Sequence, residues 1–175
     1  MDASLVWYVV LIVAVGLERV AELVVSLRNA AWSFRHGGVE SGRRHYPFMV
    51  ALHTGLLAGC VVEAIVADRP FIPALGWPML AVVLLAQGLR WWCITVLGRQ
   101  WNTRVIVVPG SALVTAGPYR WLRHPNYVAV VAEGVALPLV HTAWITAIVF
   151  TALNLPLLAV RIRSEEAALT AAVPG

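Results

Sequence analysis

The sequence predicts an all-α integral membrane protein with about five transmembrane segments in one membrane domain, residues 1–175. Of the 175 residues, 60% are hydrophobic and only 13% are charged, and the mean hydropathy is +0.78. Soluble domains carry about 25% charged residues, so this composition excludes a soluble globular enzyme. Two further observations support the prediction: the apolar residues form long stretches, and most arginines lie between those stretches.

Three apolar stretches are each long enough to cross the ~30 Å hydrocarbon core of a bilayer. They run from about Leu5 to Leu27, from Tyr46 to Ala67 and from Ile72 to Leu97. The chain is apolar again from Tyr127 to Val160, but residues 138–141 interrupt it and leave two arms of about 15 residues, or ~22 Å of helix each. We therefore expect three full spans in residues 1–97. Residues 98–175 are expected to form a loop, a short helical hairpin that either crosses the membrane or re-enters it, and a C-terminal helix.

The arginines predict the orientation of these segments. Ten arginines follow the first span, the third span or the hairpin, whereas Arg69 lies in the loop after the second span. Because short cytoplasmic loops are enriched in Arg and Lys, the N-terminus is expected outside. The loops 28–45 and 98–126 and the C-terminus are expected in the cytoplasm.

Neither a nucleic-acid partner nor a metal site is expected. The pI near 9.7 reflects arginines placed beside apolar spans, as membrane topology requires. Cys60 and Cys93 lie inside apolar stretches and show no CxxC or Cys/His ligand spacing, so both are expected to be packing residues.

Six polar residues are expected inside the membrane, on five segments and roughly 10 Å or less from the cytoplasmic boundary. One interpretation is that they join helices, with Arg90 paired to Glu18 or Glu22. The other is a polar pocket that opens toward loop 98–126 and admits the head group of a lipophilic substrate, because intramembrane ionisable groups usually face a cavity. The six candidates for this pocket layer are Glu18, Glu22, His53, Arg90, Glu133 and Asn154.

Two polar clusters flank the expected hairpin. Gly117-Pro118 predicts a turn, and Arg123, His124 and Tyr127 surround the rigid Pro125, so this segment can hold a charged ligand at the membrane surface. The second cluster is Arg161-Ile162-Arg163-Ser164-Glu165-Glu166. It is either a solvated helix end with an i,i+4 ion pair or a source of anionic acceptors for a cation or for hydroxyls.

Together with Leu113-Val114-Thr115-Ala116, these clusters resemble the signature of the isoprenylcysteine carboxyl methyltransferase family. The resemblance covers roughly residues 97–169, and the segment Glu18-Arg19-Val20-Ala21-Glu22-Leu23 is similar to the small bacterial branch of that family. Members of this branch are associated with O-methylation of alkylpyrones and similar polyketide products. The resemblance implies S-adenosylmethionine as the methyl donor and a bacterial plasma membrane as the location.

The resemblance also implies roles for individual residues. Arg161 is expected to orient the acceptor oxygen by charge-assisted hydrogen bonds. A carboxylate or an acidic enol needs no base, whereas a less acidic hydroxyl does, and Glu133, Glu18 or His53 would supply one. The cofactor-binding candidates are Gly117, Pro118, Tyr119, Arg123, His124, Pro125, Tyr127, Glu165 and Glu166.

Other functions remain open at this stage. Sterol reductases resemble the same family in their C-terminal region, so a membrane reductase that uses NADPH is one alternative. A noncatalytic lipid-binding scaffold and methylation of a phospholipid amine are two others. The expected partners are membrane lipids and a lipophilic or lipid-linked acceptor, whose identity an apolar pocket wall does not specify. The sequence does not fix the oligomeric state.

Overall fold

A computed structural model describes residues 3–172 as a helical bundle with a two-stranded sheet at one end. The strands pair Val39 with Val107 and Ser41 with Val105 in antiparallel register. Short 3-10 turns precede α2 and β2 and lie between β2 and α4. The elements are α1 (Ala3–Arg35), β1 (Val39–Ser41), α2 (Tyr46–Val66), α3 (Pro73–Leu97), β2 (Val105–Val107), α4 (Pro125–Leu139) and α5 (Trp144–Ala172).

Among the described residues, three helical stretches are long and apolar enough to cross a membrane. They are Arg43–Val66, Pro73–Gln100 and Trp144–Ala171. The 33-residue α1 is not one of them, and it carries three charged residues near its middle, at positions 18, 19 and 22. The 15 residues of α4 span only ~22 Å of helix. The prediction of a membrane protein with apolar spanning helices is therefore confirmed. The full span at residues 5–27 and the total of five transmembrane segments remain predictions.

The hairpin differs from the expected pair of equal arms. Its first arm, α4, has 15 residues, but its second arm continues without a break into the polar tail and forms a helix of 29 residues. Pro156 lies inside this helix, where it removes a backbone donor without ending the helix. The predicted C-terminal helix is present, but it is continuous with the second arm of the hairpin, because the polar residues 161–166 favour helix as strongly as the apolar residues before them.

Helix α4 is the innermost helix of the bundle. Nine of its residues are buried, and it packs between α3 and α5. A β-carbon on Gly134 would overlap the ring of Phe150, so glycine lets α4 and α5 approach closely. From the other side, the Tyr8 hydroxyl of α1 donates to the backbone carbonyl of Leu137 at 3.1 Å. This central position lets α4 present side chains to several neighbours.

Glu63 joins the end of α2 to the start of α5. Its carboxylate accepts hydrogen bonds from the backbone N–H groups of Ile145 and Thr146, at 3.1 and 2.7 Å. Arg69 lies 2.8 Å from the same carboxylate. The first N–H groups of a helix lack intrahelical partners, so this buried carboxylate satisfies two of them and complements the helix dipole.

The small sheet was not predicted from the sequence. The all-α prediction is therefore correct for most of the chain but not for these two strands. Strands of three residues are too short to produce a clear alternating pattern. The pairing connects the segment after α1 with the segment after α3, and both strands also contact α5. Residues 28–35, expected in a loop, continue α1 instead, and the loops that follow α1 and α3 lie together at one end of the bundle.

Candidate functional site

The turn Gly117–Arg120 is seated against the C-terminal half of α3. Gly117 has φ +57°, a left-handed conformation that favours glycine. A β-carbon there would lie 2.7 Å from Val96 Cγ2, so the turn approaches α3 more closely than another residue allows. Pro118 is buried, and the Tyr119 hydroxyl pairs with the thiol of Cys93. Burial raises the pKa of Tyr119, so its phenol stays uncharged.

The two polar clusters of the sequence meet where α4 begins and α5 ends. The Tyr127 hydroxyl donates to Glu165 and accepts from Arg161 Nε at 2.9 Å. His124 Nε2 lies 3.3 Å from Glu166 Oε1, and His124 Nδ1 lies 3.8 Å from Glu165 Oε1. The His124 and Tyr127 rings stack with centroids 5.5 Å apart. We call these five residues the polar cluster.

Beside the polar cluster lies a cavity of about 270 Å³. Tyr127 and Arg161 line it, and Arg161 is itself 6% exposed. Most of the wall surface is apolar, although polar and charged side chains also contribute to it. The lining includes Arg19, Val20, Glu22, Leu23, Val50, His53, Arg90, Trp101, Asn102 and Asn154.

A network of ionic side chains closes the deep end of the cavity. Arg90 Nη2 donates to Glu133 at 2.5 Å, and Arg90 Nε lies 3.5 Å from Glu22 Oε1. Arg19 Nη1 donates to Glu22 at 2.6 Å, and Arg19 Nη2 donates to Glu133 at 3.0 Å. Glu18 accepts from the side chains of Gln87 and Trp91. We call Arg19, Glu22, Arg90 and Glu133 the ionic floor.

The structure brings most of the expected pocket residues together. Glu22, His53, Arg90 and Asn154 line the cavity, and the expected contact of Arg90 with Glu22 is present. Among residues 3–172, Glu18 and Glu133 are not part of the lining. Glu133 instead holds the two arginines of the floor, and it is the main partner of Arg90.

Some residues of the site were not anticipated from the sequence. Arg19 was overlooked, although its i,i+3 spacing to Glu22 indicates a pair on one helix face. The segment 101–103 lines the cavity because Ser26 of α1 bonds to Asn102 and Thr103, a tertiary contact with no local signal. Arg123, a candidate from the resemblance, has an exposed side chain. Within residues 3–172, no group of three or more potential metal ligands is found.

Comparisons with known proteins give the family of this chain. The profile of the isoprenylcysteine carboxyl methyltransferase family matches residues 79–171, from α3 to the end of α5. The uncharacterized protein YpbQ of Bacillus subtilis is 37% identical over 164 residues, which cover 93% of this chain and 95% of that protein. An uncharacterized protein of Haemophilus influenzae is 26% identical over 159 residues, covering 89% and 91% of the two chains. The chain therefore belongs to the isoprenylcysteine carboxyl methyltransferase family of membrane methyltransferases.

Proposed function

We propose that this protein transfers a methyl group from S-adenosylmethionine to an oxygen of a lipophilic acceptor. The acceptor class is a carboxylate or acidic hydroxyl on an isoprenylcysteine-like or alkylpyrone-like molecule. One observation carries the proposal: Arg161 bonds to Tyr127 in the polar cluster and also lines the cavity. A methyl donor at the cluster and an acceptor in the cavity would therefore meet at a single cationic side chain.

The polar cluster fits S-adenosylmethionine by its chemistry. The cofactor supplies an electrophilic methyl group on a sulfonium cation, and it carries ribose hydroxyls and an ammonium group. Glu165 and Glu166 offer anionic acceptors whose side chains remain 31% and 44% exposed, so a ligand can reach them. His124 adds a ring nitrogen beside them, and the stacked ring of Tyr127 closes the side toward the bundle. Gly117, Pro118, Tyr119 and Pro125 shape the backbone around this site.

The mechanism requires positioning more than acid–base chemistry. Methyl transfer is an in-line displacement, and its reacting atoms must be held about 3–3.5 Å apart. A carboxylate or acidic enol is already anionic near neutral pH, so Arg161 would orient its oxygen by charge-assisted hydrogen bonds. The contact with Tyr127 and the burial of Arg161 fix that guanidinium before the acceptor arrives.

Glu133 has a different role in this proposal from that of a general base. Its carboxylate receives hydrogen bonds from Arg19 and Arg90 and, within residues 3–172, does not line the cavity, so an acceptor in the cavity does not contact it. We therefore assign Glu133 as a positioning residue for the ionic floor. For a less acidic hydroxyl, the cavity-lining His53 is the better base, since its Nε2 is the nitrogen not engaged by the Met49 carbonyl.

The site is proposed to face the cytoplasm of a bacterial plasma membrane, with the N-terminus outside. The end of α1 from Arg28 onward and the loops after α1 and α3 carry eight of the 13 arginines, and the paired strands hold these segments at the end of the bundle that bears the polar cluster. The positive-inside bias assigns that end to the cytoplasm. Soluble S-adenosylmethionine would enter there, and the acceptor would enter from the lipid.

Binding and transfer measurements test the proposal. His124→Ala and Glu165→Ala are expected to weaken S-adenosylmethionine binding at least tenfold by calorimetry in detergent, because each loses a contact to a charged group. Ser164→Ala is the matched control, since in residues 3–172 the Ser164 hydroxyl bonds only to the Val160 carbonyl of its own helix. Wild-type affinity in both site variants would contradict the cofactor assignment.

Assays on the same purified protein distinguish methyl transfer from the other candidate functions. Incubation with labelled S-adenosylmethionine and a lipid extract of the source cell is expected to give a labelled lipid, whose mass identifies the acceptor and distinguishes O-methylation from N-methylation. Oxidation of NADPH without methyl transfer would instead favour a reductase. No saturable binding of S-adenosylmethionine would favour a noncatalytic scaffold.

A further inference from the structure

The ionic floor places charged side chains on the wall of the cavity. Glu22 and Arg90 both line the cavity, and Arg90 Nε and Glu22 Oε1 form a buried ion pair at 3.5 Å. Arg19, also in the lining, keeps 20% of its side chain exposed. Interhelical attachment accounts for Glu133, which lies behind the lining, but it does not require a partly exposed arginine on the cavity wall.

The spacing of residues along α4 gives the distance between the ionic floor and Arg161. Tyr127, which bonds to Arg161, precedes Glu133 by six residues on α4, which is about 9 Å of helix. A volume of about 270 Å³ corresponds to roughly nine water molecules, so a head group fits but a long chain does not. Val20, Leu23 and Val50 line the cavity yet are exposed on the lipid-facing sides of α1 and α2, where an alkyl tail can leave.

The charges of the floor select the kind of group that fits there. Arg19 and Arg90 balance Glu22 and Glu133, and Glu18 adds a negative charge 3.8 Å from Arg19. A second carboxylate would therefore lack a free counter-charge. A hydroxyl or an amide can donate to a carboxylate of the floor and accept from an arginine without adding charge.

We propose that the ionic floor is a second recognition site, specific for a neutral hydroxyl or amide that the acceptor carries about 9 Å from its methylated oxygen. This inference rests on the proposed function, because that function places the methylated oxygen at Arg161. It narrows the acceptor class to lipophilic molecules with two polar groups. Arg19 and Glu22 thereby become residues that determine specificity.

Positional isomers of one fatty acid test the inference without any variant. The probes are 8-hydroxyhexadecanoic acid, whose hydroxyl reaches the floor when its carboxylate is at Arg161, and 2-hydroxyhexadecanoic acid, whose hydroxyl does not. Their composition is identical, so partition into detergent is closely matched. We expect calorimetry in detergent to show about tenfold tighter binding of the 8-hydroxy isomer, as for one hydrogen bond to a charged group. Equal affinities, or tighter binding of the 2-hydroxy isomer, would overturn the inference.

Two variants then locate the preference. Glu22→Leu and Arg19→Met are each expected to reduce the ratio between the isomers to below about threefold while S-adenosylmethionine binding stays unchanged. A ratio that persists in both folded variants would place the second site elsewhere and refute the assignment. If wild type selects the 8-hydroxy isomer but does not bind S-adenosylmethionine, the polar recognition stands and the proposed methyl transfer fails. If it binds S-adenosylmethionine but does not discriminate the isomers, the reverse holds.

Discussion

Replacement of Gly117 by alanine tests how closely the turn before α4 must approach α3. Two separate penalties apply at this position. The left-handed backbone, with φ +57°, costs a non-glycine residue about 1–2 kcal/mol. The new β-carbon would also lie 2.7 Å from Val96 Cγ2, and such overpacking costs about 1–3 kcal/mol. We therefore expect Gly117→Ala to lower the free energy of unfolding by about 2–5 kcal/mol.

Gly110 provides a matched control for the backbone penalty alone. It has φ +77°, and no atom lies within 4 Å of its hypothetical β-carbon, so Gly110→Ala should cost only about 1–2 kcal/mol. Val96→Ala removes the clashing methyl group and should restore part of the stability of Gly117→Ala, with a coupling energy of about 1 kcal/mol or more in a double-mutant cycle.

The assay is denaturant unfolding in detergent micelles, followed by circular dichroism, with S-adenosylmethionine binding measured on the same samples. Gly117→Ala should weaken cofactor binding as well, because the displaced turn carries the backbone toward His124. Equal losses of stability for Gly117→Ala and Gly110→Ala, with no coupling to Val96, would refute the close-approach argument.

Three further predictions concern single carboxylates and one arginine. Glu63→Gln should lower the free energy of unfolding by about 1–3 kcal/mol in the same denaturant assay, since it weakens the bonds to two backbone N–H groups. Cofactor affinity should stay unchanged. A comparable loss of stability and of cofactor affinity would contradict this separation. Glu133→Gln should destabilise the protein by about 3–5 kcal/mol, because it leaves buried arginines undercompensated; wild-type stability with abolished methyl transfer would instead identify Glu133 as a base. Arg161→Lys should raise the KM for the acceptor at least tenfold and change cofactor affinity less than threefold. Lysine lacks the planar guanidinium that can bond to Tyr127 and to the acceptor at the same time. An unchanged KM would show that Arg161 does not contact the acceptor.

Local sequence patterns predicted the parts of this protein that depend on local chemistry. Long apolar stretches indicated the helices of the bundle. The meeting of His124 and Tyr127 with Glu165 and Glu166 was implied by the family resemblance and not by a local pattern. Features that depend on tertiary contacts were not predictable in this way. The three-residue strands have too little pattern to be seen, and the place of Trp101 beside the cavity depends on bonds between Ser26 and the adjoining residues.

The partner of Arg90 illustrates the same limit within the membrane. Helical spacing placed Glu22 and Arg90 at similar depth, and the contact between them is present. Depth alone did not identify which helix lies nearest, so the stronger bond to Glu133 on the central α4 was missed. The role of Arg19 was also missed, although it lies between Glu18 and Glu22, which were both predicted as pocket residues.

The position of Arg161, Glu165 and Glu166 near the end of α5 has a consequence for the synthesis of the protein. The ribosome produces α1 to α4 before these residues, so the ionic floor, whose four residues lie on α1, α3 and α4, can assemble while the polar cluster is still incomplete. His124 and Tyr127 gain their acidic partners only when α5 packs beside α4. The polar cluster is consequently completed at the last stage of synthesis, after the other helices of the bundle have formed.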